Sequence, residues 1–273
     1  MSAILRVWRA FLLAGRFLTR WPFPAAADAP PTLYGSAAPF FPVIGLLLGA
    51  LLAGLALGGH VFGLTAGPGA PALAMALLGV WVWSTGALHL DGLADCADAW
   101  VGGLGSRERT LAILKDPHIG AMGVVALILV LLAKLTALMV MLDLGGPSLW
   151  ALLWVPVLAR AQILWLALTT PAARREGLGA VLGAHLPRAA AWIAAGAATA
   201  VSLVAAAAYS PVTAMAAAAA AGLGLLAWRR SLLERLGGYT GDGVGALVEL
   251  SETLLLLTTA FVLAADTATP VVS

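Results

Sequence analysis

The 273-residue chain is 62% hydrophobic and only 10% charged, and its 15 basic and 13 acidic residues leave a formal net charge of +2. A soluble domain carries about a quarter charged residues, so the composition excludes a water-soluble fold, and the near balance of charge excludes an electrostatic nucleic-acid binder. The single cysteine, Cys96, excludes an intramolecular disulfide and a cysteine-only metal site, and reads as a small helix-packing residue.

The first predicted element is Ile4–Thr19. Arg6, Arg9, Arg16 and Arg20 interrupt its apolar positions, and the uncharged piece Ala10–Gly15 is shorter than the roughly 7–15 apolar residues of a signal peptide, although Ala25-Ala26-Ala27 follows. It reads as an amphipathic helix lying on the membrane with its arginines toward anionic headgroups. Seven stretches are then long and apolar enough to span as helix: Ala37–Leu57, Ala70–Leu88, Ala121–Leu142, Leu149–Thr169, Ala189–Ala208, Val212–Trp228 and Val244–Ala265. Pro39 and Pro42 predict a kink or an interfacial loop at the start of the first. Only Tyr209-Ser210-Pro211 joins the alanine-rich fifth and sixth, which predicts a tight helical hairpin. The expectation is an all-α membrane protein: one polytopic domain over residues 1–273, with about seven transmembrane helices and an N-terminal amphipathic interfacial helix.

All but two of the lysines and arginines fall before the first span or between spans two and three, four and five, and six and seven. The alternate loops Gly58–Gly69, Asp143–Ser148 and Tyr209–Pro211, and the tail from Asp266, hold none. This alternation predicts a multi-pass protein of the cell inner membrane with its N-terminus and acidic motifs cytoplasmic. The two exceptions, Lys134 and Arg160, lie inside spans and must face a partner, a cavity or an anionic substrate group.

The chemistry-bearing residues gather on the basic side. After span two comes His89-Leu-Asp91-Gly-Leu-Ala-Asp95-Cys-Ala-Asp98. On a helix the three aspartates, at i, i+4 and i+7, lie within about 60° of one another. Like charges so placed repel, and a hard cation such as Mg²⁺ between them would relieve the repulsion; the alternative is a solvated acidic helix end. The second set is Thr240-Gly241-Asp242, then Glu249 and Glu252 within the apolar run of span seven. If a helix begins near Asp242, the three acids share a face. Two acidic sets on one side predict a shared site for one or two metals, with Asp91, Asp95, Asp98, Asp242 and Glu249 as candidate ligands and catalytic residues. Pairing of Glu249 and Glu252 with Lys134 or Arg160 is the other reading, and the two are compatible. Between the sets lie Arg107-Glu-Arg109 and Lys115-Asp116, where basic side chains could hold phosphate or simply set topology.

These segments resemble the cobalamin synthase family, the adenosylcobinamide-GDP ribazoletransferases, along nearly the whole chain and in the family's order. The matching pieces are Phe17-Leu-Thr-Arg20 with Pro22 and Pro24, Phe40-Phe-Pro42-Val-Ile-Gly45, Gly86 to Asp98, Ile113 to Gly123 with Lys134, Pro156-Val-Leu-Ala-Arg160, Glu176-Gly-Leu-Gly179, and Gly237-Gly-Tyr-Thr-Gly-Asp242 with Glu249 and Glu252. The resemblance implies that α-ribazole, or its 5′-phosphate, attacks the diphosphate of adenosylcobinamide-GDP, releasing GMP and closing the nucleotide loop of the corrinoid. It implies Mg²⁺ on the carboxylates, a carboxylate or His89 as proton acceptor, and contacts to substrate from Arg107, Lys115, Asp116, Lys134, Arg160, Thr240 and Glu252. His118 receives no role. The expected partners are these two substrates and the lipid bilayer, with no nucleic acid; an oligomer is compatible with the sequence. The alternatives are an ion-coupled transporter and a CDP-alcohol lipid phosphotransferase, although Leu93-Ala94 after Gly92 departs from the alanine-arginine pair of the latter's motif.

Overall fold

The computed structural model describes residues 3–24 and 29–268, which leaves the Ala25-Ala26-Ala27 run and Ser273 outside the described residues. Helix α1 (Ala3–Leu18) leads into α2 (Pro31–Ala37), a 3₁₀ turn at Ala38–Phe40, and α3 (Phe41–Val61). The turn absorbs Pro39 and Pro42 near the starts of the turn and of α3, where a missing N–H costs no helical bond. The expected break at the first span is therefore one tight turn, and Pro31–Val61 runs on as a single 31-residue helical segment.

Helices α4 (Gly69–Thr85) and α5 (Leu88–Gly102) meet at 87°. Short α6 (Arg107–Ile113) follows, then α7 (Ala121–Leu144), α8 (Ala151–Thr169), short α9 (Leu178–His185), α10 (Arg188–Ala207), α11 (Pro211–Leu236) and α12 (Gly241–Ala268). Among the described residues six helical segments are long and apolar enough to cross a membrane, and the α4–α5 pair makes a seventh if counted as one broken span. The protein is a multi-pass all-α membrane protein. Helices α10 and α11 form the hairpin expected from Tyr209-Ser210-Pro211. Helix α11 continues two turns past Trp228, carrying Arg229, Arg230 and Arg235.

Helix α8 is buried on nearly every side, its polar Arg160 and Gln162 included, so it is the axis of the bundle. Gly45 and Gly49, one turn apart on α3, make this packing close. A Cβ on Gly45 would lie 2.5 Å from the Pro156 carbonyl oxygen, and one on Gly49 would lie 2.6 Å from that of Leu153. This is the small-residue spacing by which helix backbones approach in lipid. Helix α1 does not lie apart from the bundle: Ala10, Leu13, Ala14 and Leu18 are buried in the main core, while Ile4, Leu5, Val7 and Trp8 are exposed.

The elbow between α4 and α5 is built from backbone conformation. Gly86 closes α4 at φ 60°, and Ala87 follows at φ 57°. Glycine takes that region freely, whereas a Cβ there is strained. Arg20 seals the elbow: its N–H donates to the Ser84 carbonyl at 2.8 Å and its side chain lies across Gly86, where no Cβ fits. Replacing Ala87 with Gly is therefore expected to hold or raise stability by up to about 1 kcal/mol, and Gly86→Ala to lower it by about 1–2 kcal/mol. Thermal unfolding in detergent measures both, and a destabilised Ala87→Gly would contradict the strain.

Candidate active site

Helix α5 carries Asp91, Asp95 and Asp98 as one helical stripe directly after the elbow. It crosses the start of α12 so closely that a Cβ on Gly92 would lie 2.7 Å from the Asp242 carbonyl oxygen, and one on Gly245 would lie 3.3 Å from the His89 Cα. The far end of α5 is pinned as well. Trp100 donates to Ser231 Oγ at 2.7 Å, stacks on Trp228 and accepts from Arg235 on its carbonyl at 2.7 Å. Trp228 in turn donates to the Gly243 carbonyl at 2.8 Å. Thr240 caps α12, its hydroxyl accepting from Gly243 N–H at 3.1 Å.

Where α5 and α12 cross, Asp91, Asp242 and His89 line a cavity of about 160 Å³ whose other walls are largely apolar, including Leu13 and Phe17 of α1 and Tyr34 of α2. The amphipathic helix is thus a wall of this cavity. His89 is 3% exposed, and its Nδ1 has no hydrogen-bond partner among the described residues.

Behind His89 lies a buried cluster of four charges. Lys134 of α7 donates to Glu249 at 2.6 Å and to Glu252 at 2.5 Å, and Arg160 of α8 pairs with Glu252 and donates to the Pro156 carbonyl at 3.4 Å. All four are buried, and Lys134 also sits 5.0 Å over the Trp81 ring. Two positive and two negative charges, each hydrogen-bonded, satisfy one another in a setting where a lone charge is costly. The two in-span basic residues thus have each other's carboxylate partners as neighbours, and Glu249 is held by Lys134.

The remaining expected residues are dispersed. Asp98 accepts from Gly120 N–H at 2.7 Å and Gly123 N–H at 2.9 Å, so both of its oxygens anchor the N-terminus of α7. Arg107, at the start of α6, donates to the Leu236 carbonyl at the end of α11 at 2.9 Å and to the Ala173 carbonyl in the loop after α8 at 3.0 Å, tying these three segments together. Lys115 is exposed. Asp116 is exposed too, and its hydrogen bond from His118 holds its carboxyl below the usual range. Among the described residues no three His, Cys, Asp or Glu side chains close on a point as a metal cage does.

Two residues escaped the sequence reading. Tyr239 is 1% exposed; burial pushes its phenol up to about 12, which keeps it protonated, and it donates to the Gly179 carbonyl at 3.1 Å. Its backbone pairs with the loop after α8, through Ala173 N–H to Tyr239 O at 2.8 Å and Tyr239 N–H to Pro171 O at 2.9 Å. Arg174 lies in that loop. Arg174, Glu176, Gly177, Ala180, Thr240 and Asp242 line a second cavity of about 190 Å³, which shares Gly179, Gly241 and Asp242 with the first. The Glu176-Gly-Leu-Gly179 and Gly-Tyr-Thr-Gly-Asp segments that carried the resemblance were the available signal.

Three comparisons bear on this geometry. The family model described as cobalamin-5-phosphate synthase matches residues 10–260. Adenosylcobinamide-GDP ribazoletransferases of Pseudomonas paraeruginosa and Pseudomonas aeruginosa are each 46% identical over 256 residues, covering 91% of this chain and 96% of the relative. The like-named protein of Stutzerimonas stutzeri is 44% identical over 246 residues, covering 90% and 95%. No solved structure matches significantly. With a match over nearly all of its length, this chain belongs to the cobalamin-5-phosphate synthase family.

Proposed function

We propose that the protein joins α-ribazole, or its 5′-phosphate, to adenosylcobinamide-GDP with release of GMP, and that the reaction takes place where α5 crosses α12. The observation that carries this reading is the placement of Asp91 and Asp242, from separate helices, with His89 on one cavity. The attacking hydroxyl needs a proton acceptor within hydrogen-bond reach. His89, buried with a free ring nitrogen, suits that task, and its surroundings exclude bulk water.

The donor set suits Mg²⁺. That ion is commonly held by one or two carboxylates and fills its octahedron with water and substrate phosphates, so an all-protein cage is not required. Asp91 and Asp242 are the residues that would hold it, with Asp95 one turn along α5. When bound it would supply neutralising charge to the diphosphate oxygens and to departing GMP. Asp98 and Glu249 are outside this set, because the first is engaged by the start of α7 and the second by Lys134. The buried charge cluster holds α7, α8 and α12 together behind His89. The assay is purified protein with adenosylcobinamide-GDP, α-ribazole and Mg²⁺, with GMP and the cobalamin product followed by chromatography. Absence of both products would overturn the reading, and solute movement in liposomes without GMP release would replace it with transport.

The site is proposed to face the cytoplasm of an inner membrane. Support comes from the alternation of basic loops and from Arg107, which bonds to the end of α11 and to the loop after α8. A reporter inserted near Ser106 is expected to be cytoplasmic and one fused after Ser273 periplasmic. A cytoplasmic report from the second would break the assignment of seven crossings.

A further inference from the structure

The cavity at the crossing of α5 and α12 has two unlike walls. One is the crossing itself, with Asp91 and Asp242. The other is built by α1, α2 and α3, whose Leu13, Phe17, Ala37 and Phe41 are apolar. Phe17 stacks on Phe41 with ring centroids 5.9 Å apart and planes 24° apart, so part of this wall is aromatic. Leu13, Ala37 and Phe41 are buried. Protein interiors are close-packed, and a void left empty forfeits contacts along its whole lining.

Size and polarity together select the occupant. The cavity of about 160 Å³ is close to the roughly 150 Å³ of an apolar cavity that takes up benzene. It is well below the roughly 300 Å³ and more of a pocket for a whole drug-sized ligand. A corrin ring therefore stays outside, and one small flat ring system goes in. The two substrates proposed above carry three such systems: guanine, adenine and the dimethylbenzimidazole of α-ribazole. Guanine and adenine bear exocyclic polar groups that would be left unpaired against Leu13, Phe17, Ala37 and Phe41, at a cost. The dimethylbenzimidazole presents two methyl groups there instead. A lipid chain also suits an apolar wall, but Asp91 and Asp242 on the same cavity would repel its phosphate head.

We propose that the wall built by α1, α2 and α3 seats the base of α-ribazole, with Phe17 and Ala37 as residues that select it. This rests on the reaction proposed above and adds to it where the nucleophile lies and what recognises it. The base lies against Phe17 and Phe41, and the ribose points to the α5–α12 crossing, where its uncharged hydroxyls donate to carboxylate oxygens. Binding energy gained at the base, away from the reacting atoms, holds the attacking hydroxyl in place. The N-terminal helix is thereby part of the substrate site as well as a membrane-facing element.

The test uses the full-length protein in detergent, with equilibrium dialysis for nucleoside affinity and KM for each substrate during turnover. The probes are α-ribazole, its analogue without the two methyl groups, and an analogue with a third fused ring. Loss of both methyls is expected to weaken binding to the wild-type protein by about tenfold, the scale of two buried carbons. The three-ring analogue should bind the wild-type protein less well than α-ribazole, and Phe17→Ala should reverse that order by vacating the space of one ring. A merely loosened α1 would weaken both ligands without reversing them. Ala37→Leu fills the same wall and should raise the KM for α-ribazole by about tenfold or more. The KM for adenosylcobinamide-GDP should stay within about twofold in that variant. Either equal wild-type affinity for the methylated and unmethylated nucleosides, or an unreversed order in Phe17→Ala with Ala37→Leu indifferent, would overturn the seat while leaving the reaction intact. Wild-type protein that binds α-ribazole with this methyl and Phe17 dependence but releases no GMP would keep the seat and reject the reaction.

Discussion

Glu252→Ala is expected to lower stability by about 3–5 kcal/mol, the usual cost of breaking a buried ion pair. Glu252 is fully buried and accepts from Lys134 at 2.5 Å and from Arg160. Removing it leaves Arg160 with the Pro156 carbonyl and Lys134 with Glu249, so two cations face one carboxylate in a medium that cannot screen them. For a chain of this size that corresponds to a fall in Tm of about 6–20 °C, measured by thermal unfolding in detergent. Glu252→Gln should fall less, because the amide oxygen still accepts one hydrogen bond. The double substitution Glu252→Gln with Arg160→Gln, which removes one charge of each sign, should recover part of the loss. A shift of less than about 3 °C for Glu252→Ala would mean that water or another group reaches the cluster and compensates the cations.

Asp242→Asn is expected to leave the fold intact and lower kcat by about a hundredfold or more, the scale of losing one electrostatic contact to a developing charge. Asp242 is only partly buried, and among the described residues it has no ion-pair partner. The asparagine keeps its volume and removes only its charge. Asp91→Asn should give a loss of similar size. Residues that act as a unit are strongly non-additive, so the double variant should lose little more than either single one. Chelation by EDTA should abolish wild-type turnover, and added Mg²⁺ should restore it. Glu249→Gln should behave differently, lowering stability along with turnover because its carboxylate is held by Lys134. Losses that multiply in the Asp91 and Asp242 double variant, or turnover that survives chelation, would remove the shared-metal reading. Asp95→Asn should follow Asp91→Asn if the stripe acts as one ligand set, and a near wild-type rate would confine the site to Asp91 and Asp242.

The helices were legible because spanning a bilayer demands long uninterrupted apolar runs; six of the expected stretches fall on helices long and apolar enough to cross, and the second, Ala70–Leu88, falls on α4 and the start of α5, which qualify only as one bent pair. The discrepancies fall where local backbone geometry decides. Gly86 and Ala87 turn α5 by 87° from α4, and no periodicity of side chains announces an angle. Likewise, Pro39 and Pro42 allow either a break or a tight turn, and packing of α3 on α8 through Gly45 and Gly49 accompanies the turn.

The aspartate stripe shows the same division at the site. Spacing alone puts Asp91, Asp95 and Asp98 on one face of a helix, because 100° per residue is a property of the backbone. It cannot separate their partners, which come from elsewhere in the chain: Gly120 and Gly123 take Asp98, while Asp91 opens on the cavity shared with Asp242. Glu249 and Glu252 had two open readings, metal and ion pair, and the crossing of α7, α8 and α12 placed Lys134 and Arg160 against them. Arg174 carried no more signal than any topology-setting arginine until the loop after α8 paired with Tyr239 and brought it beside Asp242. By itself, then, the sequence determined the membrane class, the helical content, the basic side of the bundle and the family motifs, all of which follow from composition and short-range spacing. Only the tertiary structure decided which acids are ion-paired, which anchor a helix and which face a cavity, because those pairings join residues from about 20 to more than 100 positions apart and depend on how the helices cross.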